Sequence, residues 1–229
     1  MIIHYNAKKF SSVALALMFF SLIATFSSCK KKRAPMGNLL YKRTHNPVFK
    51  NADQQDFAVV FKKVLEVNQP LMPNPELISD YYKRNDYEPT FVMNHLWNGD
   101  ISLMVRDYRQ AYRHGLNPEL YQPDKISALM NKLRSKKGIK SIHEAYYDIA
   151  KLEMLTASSL IDYSSDLQYG VISPKKIFSR YFIKTQRPDS ASMMQALDVA
   201  DLRTYLDTIQ PKDPQYLALQ KAYLDDYKA

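Results

Sequence analysis

The sequence predicts an all-α domain, an irregular bundle of short helices packed around one long central helix. After Asp53, apolar residues recur at intervals of three and four, which is typical of amphipathic helices. Prolines and glycines interrupt this pattern at short intervals, and one uninterrupted pattern spans 142–169. A short extended segment near 87–92 is the expected exception, because Pro89 favours extended backbone before it and the Thr-Phe-Val triplet after it favours strands.

Length and composition limit the possible functions. The 229 residues suit one domain and a tail. Only 5 glycines are present, and no two are close enough for a glycine-rich phosphate-binding loop. The formal charge is +9, but six of the cations lie in the first 33 residues, and no cationic face with interleaved aromatics is present. We therefore expect no nucleotide cofactor and no nucleic-acid partner.

The N-terminal residues 1–29 have the pattern of a signal peptide. A cationic start is followed by a 14-residue apolar run from Val13 to Phe26, which is short for a membrane span. The run ends in FSSC, which resembles a bacterial lipoprotein processing site with Phe26 where leucine is usual. We predict lipid attachment to Cys29, because a catalytic thiol would need an ordered base beside it. Residues 30–52 are then expected to form a polar, basic tether, and the folded domain is expected at 53–229.

Helices are expected in the following order. They begin near Asp53, Glu76, Asp100, Pro123, Ser141, Pro174, Ala191, Asp201 and Gln215. Ser141 and Glu144 have the spacing of a capping box for the long helix, and Gly170 closes that helix.

The stretch AYRHGLNPELY, residues 111–121, contains a histidine that invites a catalytic interpretation. His114 lies in the last turn of a predicted helix, where it can interact with the negative end of the helix dipole. Gly115 occupies the position of a left-handed C′ residue, and Leu116 can supply the accompanying apolar contact. Pro118 is a further stop signal, and Tyr121 follows it. We interpret the stretch as a helix end that directs the chain.

No other motif predicts catalysis or a metal site. HEAYYD begins like a zinc-protease motif at His143, but Tyr147 stands where the second histidine is required. The remaining histidines, His4, His45, His95 and His114, have no partner at ligand spacing. The 17 tyrosines could pack in the core or stack on sugar rings, and their spacing does not distinguish these roles. We expect no catalytic, metal-binding or cofactor-binding residue in the chain.

Four phrases together resemble the scaffold domain of the large murein L,D-transpeptidases. They are ISDYYKRNDYEPTFV at 78–92, AYRHGLNPELY at 111–121, DIAKLEMLTASSLIDYSSDLQYGVISP at 148–174 and DPQYLALQKAYLDDY at 213–227. Thr156, Tyr163, Leu167, Gly170 and Pro174 match the third phrase of that family. Phe91 stands where the family usually has tryptophan.

The resemblance implies a protein of the cell envelope that takes part in peptidoglycan cross-linking. In that family a cysteine within an S-H-G-C-x-R type motif forms the acyl-enzyme, in a separate catalytic domain, and the present sequence contains no such motif. The implied role is a scaffold region, lipid-anchored and facing the periplasm. Its implied partners are peptidoglycan and the catalytic and peptidoglycan-binding modules of the same full-length protein or of another protein.

Two alternatives stay open. One is a stand-alone, non-catalytic helical lipoprotein that binds peptidoglycan or an envelope protein. The other is an enzyme whose His/Asp site is assembled only by the fold, in which case His114→Ala would abolish an activity without changing the helical circular-dichroism signal.

Overall fold

The computed structural model describes residues 36–178, 180, 184 and 186–227, and every regular element among them is helical. The α-helices are α1 (Met36–Thr44), α2 (Gln54–Asn68), α3 (Pro75–Arg84), α4 (Thr90–His95), α5 (Asp100–Arg109), α6 (Pro123–Arg134), α7 (Ile142–Tyr169), α8 (Pro174–Ile177), α9 (Ser190–Gln195), α10 (Leu202–Thr208) and α11 (Pro214–Tyr227). The 3-10 turns are η1 (Pro47–Asn51), η2 (Gln69–Leu71), η3 (Ala111–His114) and η4 (Pro118–Tyr121). The predicted all-α class is confirmed.

The 28-residue helix α7 is the centre of the domain, as predicted. Its buried residues lie on several sides of the helix, and α2, α4 and α6 pack against it. Ser141 Oγ accepts a hydrogen bond from the Glu144 amide (3.2 Å), while the Glu144 carboxylate accepts from the Lys140 amide (2.9 Å). The capping box is therefore shifted by one residue, because the Glu144 carboxylate binds the amide of Lys140 and not that of Ser141. Gly170 ends the helix, and its amide donates to Asp166 O (3.0 Å).

Helix α2 buries the predicted apolar stripe. Phe57 and Phe61 are fully buried, and the Phe61 ring meets the Tyr82 ring at 4.7 Å between centroids. Asp53 caps the first turn, as its side chain accepts from the second and third amides of the helix region (2.7 and 3.2 Å). The Asp53 amide donates to the Tyr146 hydroxyl (2.7 Å), which fixes the start of α2 on α7.

The extended segment expected near 87–92 is absent. Asp86 and Tyr87 adopt positive φ values of 51° and 53°, and the chain enters α4 at Thr90. The Glu153 carboxylate of α7 accepts hydrogen bonds from the amides of Phe91 and Val92. A carboxylate from another element therefore caps this helix, and it overrides the local preference for extended backbone.

The tether predicted for residues 30–52 does not extend over 36–51. These residues form α1 and η1, and they bury Met36, Leu40 and Phe49 in the domain core. Gly37 permits this packing, because a Cβ atom there would lie 2.7 Å from Phe49 O. The sequence did not predict this short apolar face, because prolines, a glycine and several cations in the same stretch are typical of a tether. The signal region 1–29, Cys29 and residues 30–35 lie outside the described residues.

The helix predicted to run from Asp100 to His114 is divided. The α-helix α5 ends at Arg109, and the chain continues through Gln110 into the 3-10 turn η3. Later elements follow the predicted order, although α8 is only 4 residues long. None of the helices in the described part of the chain combines the length and the apolar character that crossing a membrane requires.

Candidate functional site

A cleft of about 620 Å³ lies between α5, η3, α10 and α11, and we call it the α5–α11 cleft. Its polar lining includes three arginines and three glutamines, namely Arg106, Arg113, Arg203, Gln110, Gln210 and Gln220. Leucines from α5, α10 and α11 add apolar surface. Two of the sequence-motif residues, His114 and Tyr163, also line the cleft. Such a lining can hold a polar group and an adjoining aliphatic group together.

The arginines of the cleft differ in their partners. Arg106 pairs with Asp107 at 3.0 Å, and Arg203 approaches Asp100 at 3.5 Å. Arg113 contacts an amide oxygen at 3.3 Å and has no carboxylate partner among the described residues. Burial raises the pKa of Asp107, while the neighbouring Arg106 opposes that rise. The Arg113 side of the cleft therefore carries the unbalanced positive charge.

His114 connects the cleft to α11. Its Nδ1 atom lies 2.7 Å from the Tyr216 hydroxyl oxygen and 3.2 Å from Gln220 Nε2. Both contacts are satisfied when Nδ1 is unprotonated, because the hydroxyl and the amide can then donate to it. Burial, with a smaller contribution from Arg113, lowers the pKa of His114, which favours this neutral form. His114 thus acts as an acceptor that holds α11 in place.

The turn after His114 has the predicted helix-ending geometry. Gly115 has φ 71°, and its amide donates to Tyr112 O (2.9 Å). The Leu116 amide donates to Ala111 O (3.2 Å), and the Leu116 side chain is buried. Pro118 begins η4 instead of only stopping a helix. The stretch redirects the chain, as the sequence predicted.

Three buried tyrosines pack together, and one of them, Tyr163, lines the cleft. The rings of Tyr108, Tyr121 and Tyr163 meet with centroid distances of 4.9 to 5.4 Å. The Tyr121 hydroxyl donates to Asp166 Oδ2 (2.7 Å), and Gln210 Nε2 lies 3.5 Å from the Tyr163 hydroxyl. Burial raises the pKa of Tyr163, so this side chain stays neutral. For these three tyrosines, core packing is the observed role.

The other motif residues do not line the cleft. The Thr156 hydroxyl donates to carbonyl oxygens one turn earlier in α7, at Leu152 (2.7 Å) and Glu153 (3.0 Å). Gly170 ends α7, and Pro174 begins α8. The structure therefore brings His114, Tyr121 and Tyr163 to one region and leaves Thr156, Gly170 and Pro174 as separate structural positions.

Glu153 is a buried charged residue that the sequence analysis missed. It is 0% exposed, and its carboxylate accepts from the Tyr82 hydroxyl (2.8 Å) and the amides of Phe91 (2.9 Å) and Val92 (2.7 Å). Burial raises the pKa of Glu153 to about 7, and the three hydrogen bonds oppose that rise. The sequence does contain a signal for this buried acid, because Glu153 lies within a helix whose apolar residues occur on several sides.

A second missed group is the pair of His95 and Asp100. His95 Nδ1 lies 3.0 Å from Asp100 Oδ2, and Asn98 Nδ2 donates to the same oxygen (2.7 Å). The His95 side chain is only 3% exposed, so a substrate has no access to it. The other carboxylate oxygen faces Arg203 at the cleft. This fold-assembled His/Asp pair therefore positions Arg203 and the start of α5.

Within the described part of the chain, no group of three or more His, Cys, Asp or Glu residues could hold a metal ion.

These features define the class of the protein as an all-α domain with a long central helix and a cleft beside the last quarter of that helix. A protein-family profile described as Scaffold domain matches residues 76–222, from the first turn of α3 to the middle of α11. This match covers more than half of the chain, and the protein belongs to the Scaffold domain family. No curated protein and no solved structure matches the chain.

Proposed function

We propose that this protein is the membrane-anchored scaffold region of a peptidoglycan-remodelling L,D-transpeptidase. The observation that carries the proposal is the Scaffold domain match over 76–222, which contains nearly all of the four phrases that resemble the transpeptidase scaffold. The match and the phrases concern the same part of the chain.

The structural roles of the phrases support a positioning function. The first phrase forms α3, the following turn and the start of α4, where Tyr82 binds the central Glu153. The second phrase forms the turns that follow α5, and the fourth phrase forms α11. The two phrases meet where His114 binds Tyr216. In this proposal, the residues that the chain shares with the family phrases hold the helices in their relative positions and take no part in catalysis.

In this proposal the cross-linking chemistry belongs to another module. The family's acyl-enzyme forms on a cysteine in an S-H-G-C-x-R type motif, and the only cysteine here is Cys29. The catalytic and peptidoglycan-binding modules are supplied by the same full-length protein or by a partner. A lipid on Cys29 holds the scaffold at the envelope, facing the periplasm.

The genomic reading frame around these 229 residues gives the first test. We expect it, or an adjacent gene, to encode an S-H-G-C-x-R type motif. Deletion of the gene should then lower the fraction of L,D cross-links in muropeptides separated by liquid chromatography and mass spectrometry, and the wild-type gene should restore it. A muropeptide profile that is unchanged by deletion, together with no encoded catalytic motif, would refute the proposal.

The anchor is tested separately by Cys29→Ser. We expect this variant to lose labelling by a radioactive or clickable fatty acid and to leave the membrane fraction. Retained labelling would contradict lipid attachment at Cys29 and would leave the scaffold assignment untouched.

A second candidate is a stand-alone, non-catalytic helical lipoprotein that binds peptidoglycan or an envelope protein. The exposed apolar side chains of α11 favour it, because Leu219 and Tyr227 are 72% and 63% exposed. Co-sedimentation with purified sacculi distinguishes the two candidates when it is combined with the reading frame. Binding to sacculi without any encoded transpeptidase motif supports the second candidate.

A further inference from the structure

The segment from 171 to 188 differs in charge from the rest of the domain. It contains five cations and no carboxylate. The cations are Lys175, Lys176, Arg180, Lys184 and Arg187, and all five side chains are exposed. Among the described residues, none of them forms an ion pair with a carboxylate. The acids on either side are already engaged, since Asp166 binds Tyr121 and Asp189 caps α9.

The same segment exposes large apolar side chains. Val171, Ile172, Ile177 and Phe178 are 52%, 62%, 59% and 64% exposed. They flank the two lysines of the short helix α8. Four such side chains within 8 residues, interleaved with cations, form one surface that is both apolar and basic, and we call it the 171–178 surface.

The chemistry of a fitting partner follows from this combination. A soluble polyanion or an anionic glycan would neutralise the cations but would leave the aliphatic and phenyl groups in water. The boundary of a bilayer with anionic lipids satisfies both, because headgroups attract the cations and the acyl region accepts the apolar side chains. Sugar-binding surfaces present flat aromatic rings, whereas three of the four apolar residues here are β-branched.

We infer that the 171–178 surface contacts an anionic lipid surface. The inference goes beyond the proposed scaffold function and does not depend on Cys29. If Cys29 is acylated, the surface adds a second contact with the membrane beside the lipid. The domain would then lie on the membrane with the end of α7 towards it.

A local fluorescent probe tests this contact in the full chain. Cys29→Ser removes the natural thiol, and Ile172→Cys introduces one for an environment-sensitive dye. Val59→Cys is the matched control, because Val59 is an exposed β-branched residue (72%) on α2. Vesicles of phosphatidylcholine with about one-third phosphatidylglycerol are compared with vesicles of phosphatidylcholine alone. The local readout separates docking of this surface from any insertion of the N-terminal apolar run.

We expect a blue-shifted, stronger emission from the dye at 172 with the anionic vesicles and little change from the dye at 59. The double change Lys175→Glu and Lys176→Glu should lower the apparent affinity for the anionic vesicles about 25-fold or more. Each cation near an anionic surface contributes about fivefold to this affinity. The same charge reversal at Lys62 and Lys63 on α2 should leave it unchanged. Circular dichroism of each variant verifies the helical fold.

Several outcomes would overturn the inference. They are no response at 172, an equal response with neutral vesicles, an equal response at 59, or a response to purified sacculi that vesicles do not produce. The last outcome would assign the surface to an anionic polymer instead. None of these outcomes bears on the reading-frame test of the scaffold function, so the two can fail independently.

Discussion

Replacing Glu153 by glutamine should reduce the pH dependence of folding between about pH 5 and about pH 8, to which the partly buried Asp162 also contributes because its pKa is likewise raised to about 7. The carboxylate is fully buried and accepts hydrogen bonds from Tyr82 and from two amides of α4. Glutamine keeps the size of the side chain but cannot ionise. Its NH₂ group would face one of the α4 amides, so the variant also loses about 1 kcal/mol at every pH.

The sign follows from the direction of the pKa change. Burial raises the pKa of Glu153 from 4.5 to about 7, so at intermediate pH the folded protein holds a proton that the unfolded chain has released. The stabilisation is complete below about pH 4.5 and is lost as the pH rises through about 7. At about 1.4 kcal/mol for each pKa unit, the wild-type protein should lose about 2.5 kcal/mol between about pH 5 and about pH 8 through this group.

The assay is urea unfolding followed by far-ultraviolet circular dichroism at several pH values. The free energy of unfolding should fall with pH more steeply in the wild type than in Glu153→Gln, and the difference between the two slopes isolates this residue. Glu66→Gln, at an exposed position on α2, should keep the wild-type slope. Equal slopes for the wild type and Glu153→Gln would refute the reasoning, because burial would then not control the ionisation of Glu153.

Three further changes test other parts of the structure. Gly115→Ala should destabilise the domain by about 1 kcal/mol, because its φ of 71° disfavours a side chain, and Gly115→Asn should cost less; equal losses in chemical denaturation would contradict this. Phe61→Ala should cost about 3 to 5 kcal/mol, whereas Val59→Ala, an exposed site on the same helix, should change thermal unfolding little. Tyr216→Phe should speed amide hydrogen exchange in α11 without altering global stability, because it removes the bond to His114. Burial lowers the pKa of His114 from its usual value of 6.5. Protonation of the ring should weaken the bond from Tyr216, so amide exchange in α11 of the wild type should also quicken as the pH falls below about 6.5. Exchange rates that do not depend on pH, after correction for intrinsic chemistry, would refute this role.

Local signals in the sequence were sufficient for most of the helices. A helix begins next to Asp53 as expected, Ser141 caps the helix that it was expected to cap, and Gly115 and Gly170 lie where helical segments were expected to end. These features depend on residues a few positions apart, which a single sequence displays. The apolar spacing of α7 likewise predicted a helix with neighbours on several sides.

Long-range contacts account for what the sequence did not predict. Thr90 begins a helix because Glu153, 63 positions later, binds the amides that follow it. Residues 36–51 join the core because Asn46 donates to Ile139 O (2.9 Å) and Phe49 is buried. The α5–α11 cleft similarly depends on α10 and α11 returning to α5. No local pattern specifies which distant element will supply a cap or a wall.

The acidic residues of α7 suggest why one long helix can organise so many short ones. Four of its carboxylates bind neighbouring parts of the chain at different positions along the helix. Asp148 binds Lys132 of α6, Glu153 binds α3 and α4, Asp162 accepts from Asn74 before α3, and Asp166 accepts from Tyr121 of η4. Apolar packing alone would allow neighbouring helices to slide along α7, because it is not directional. Directional hydrogen bonds at successive positions fix where each neighbour meets the helix, which is the property that a scaffold requires.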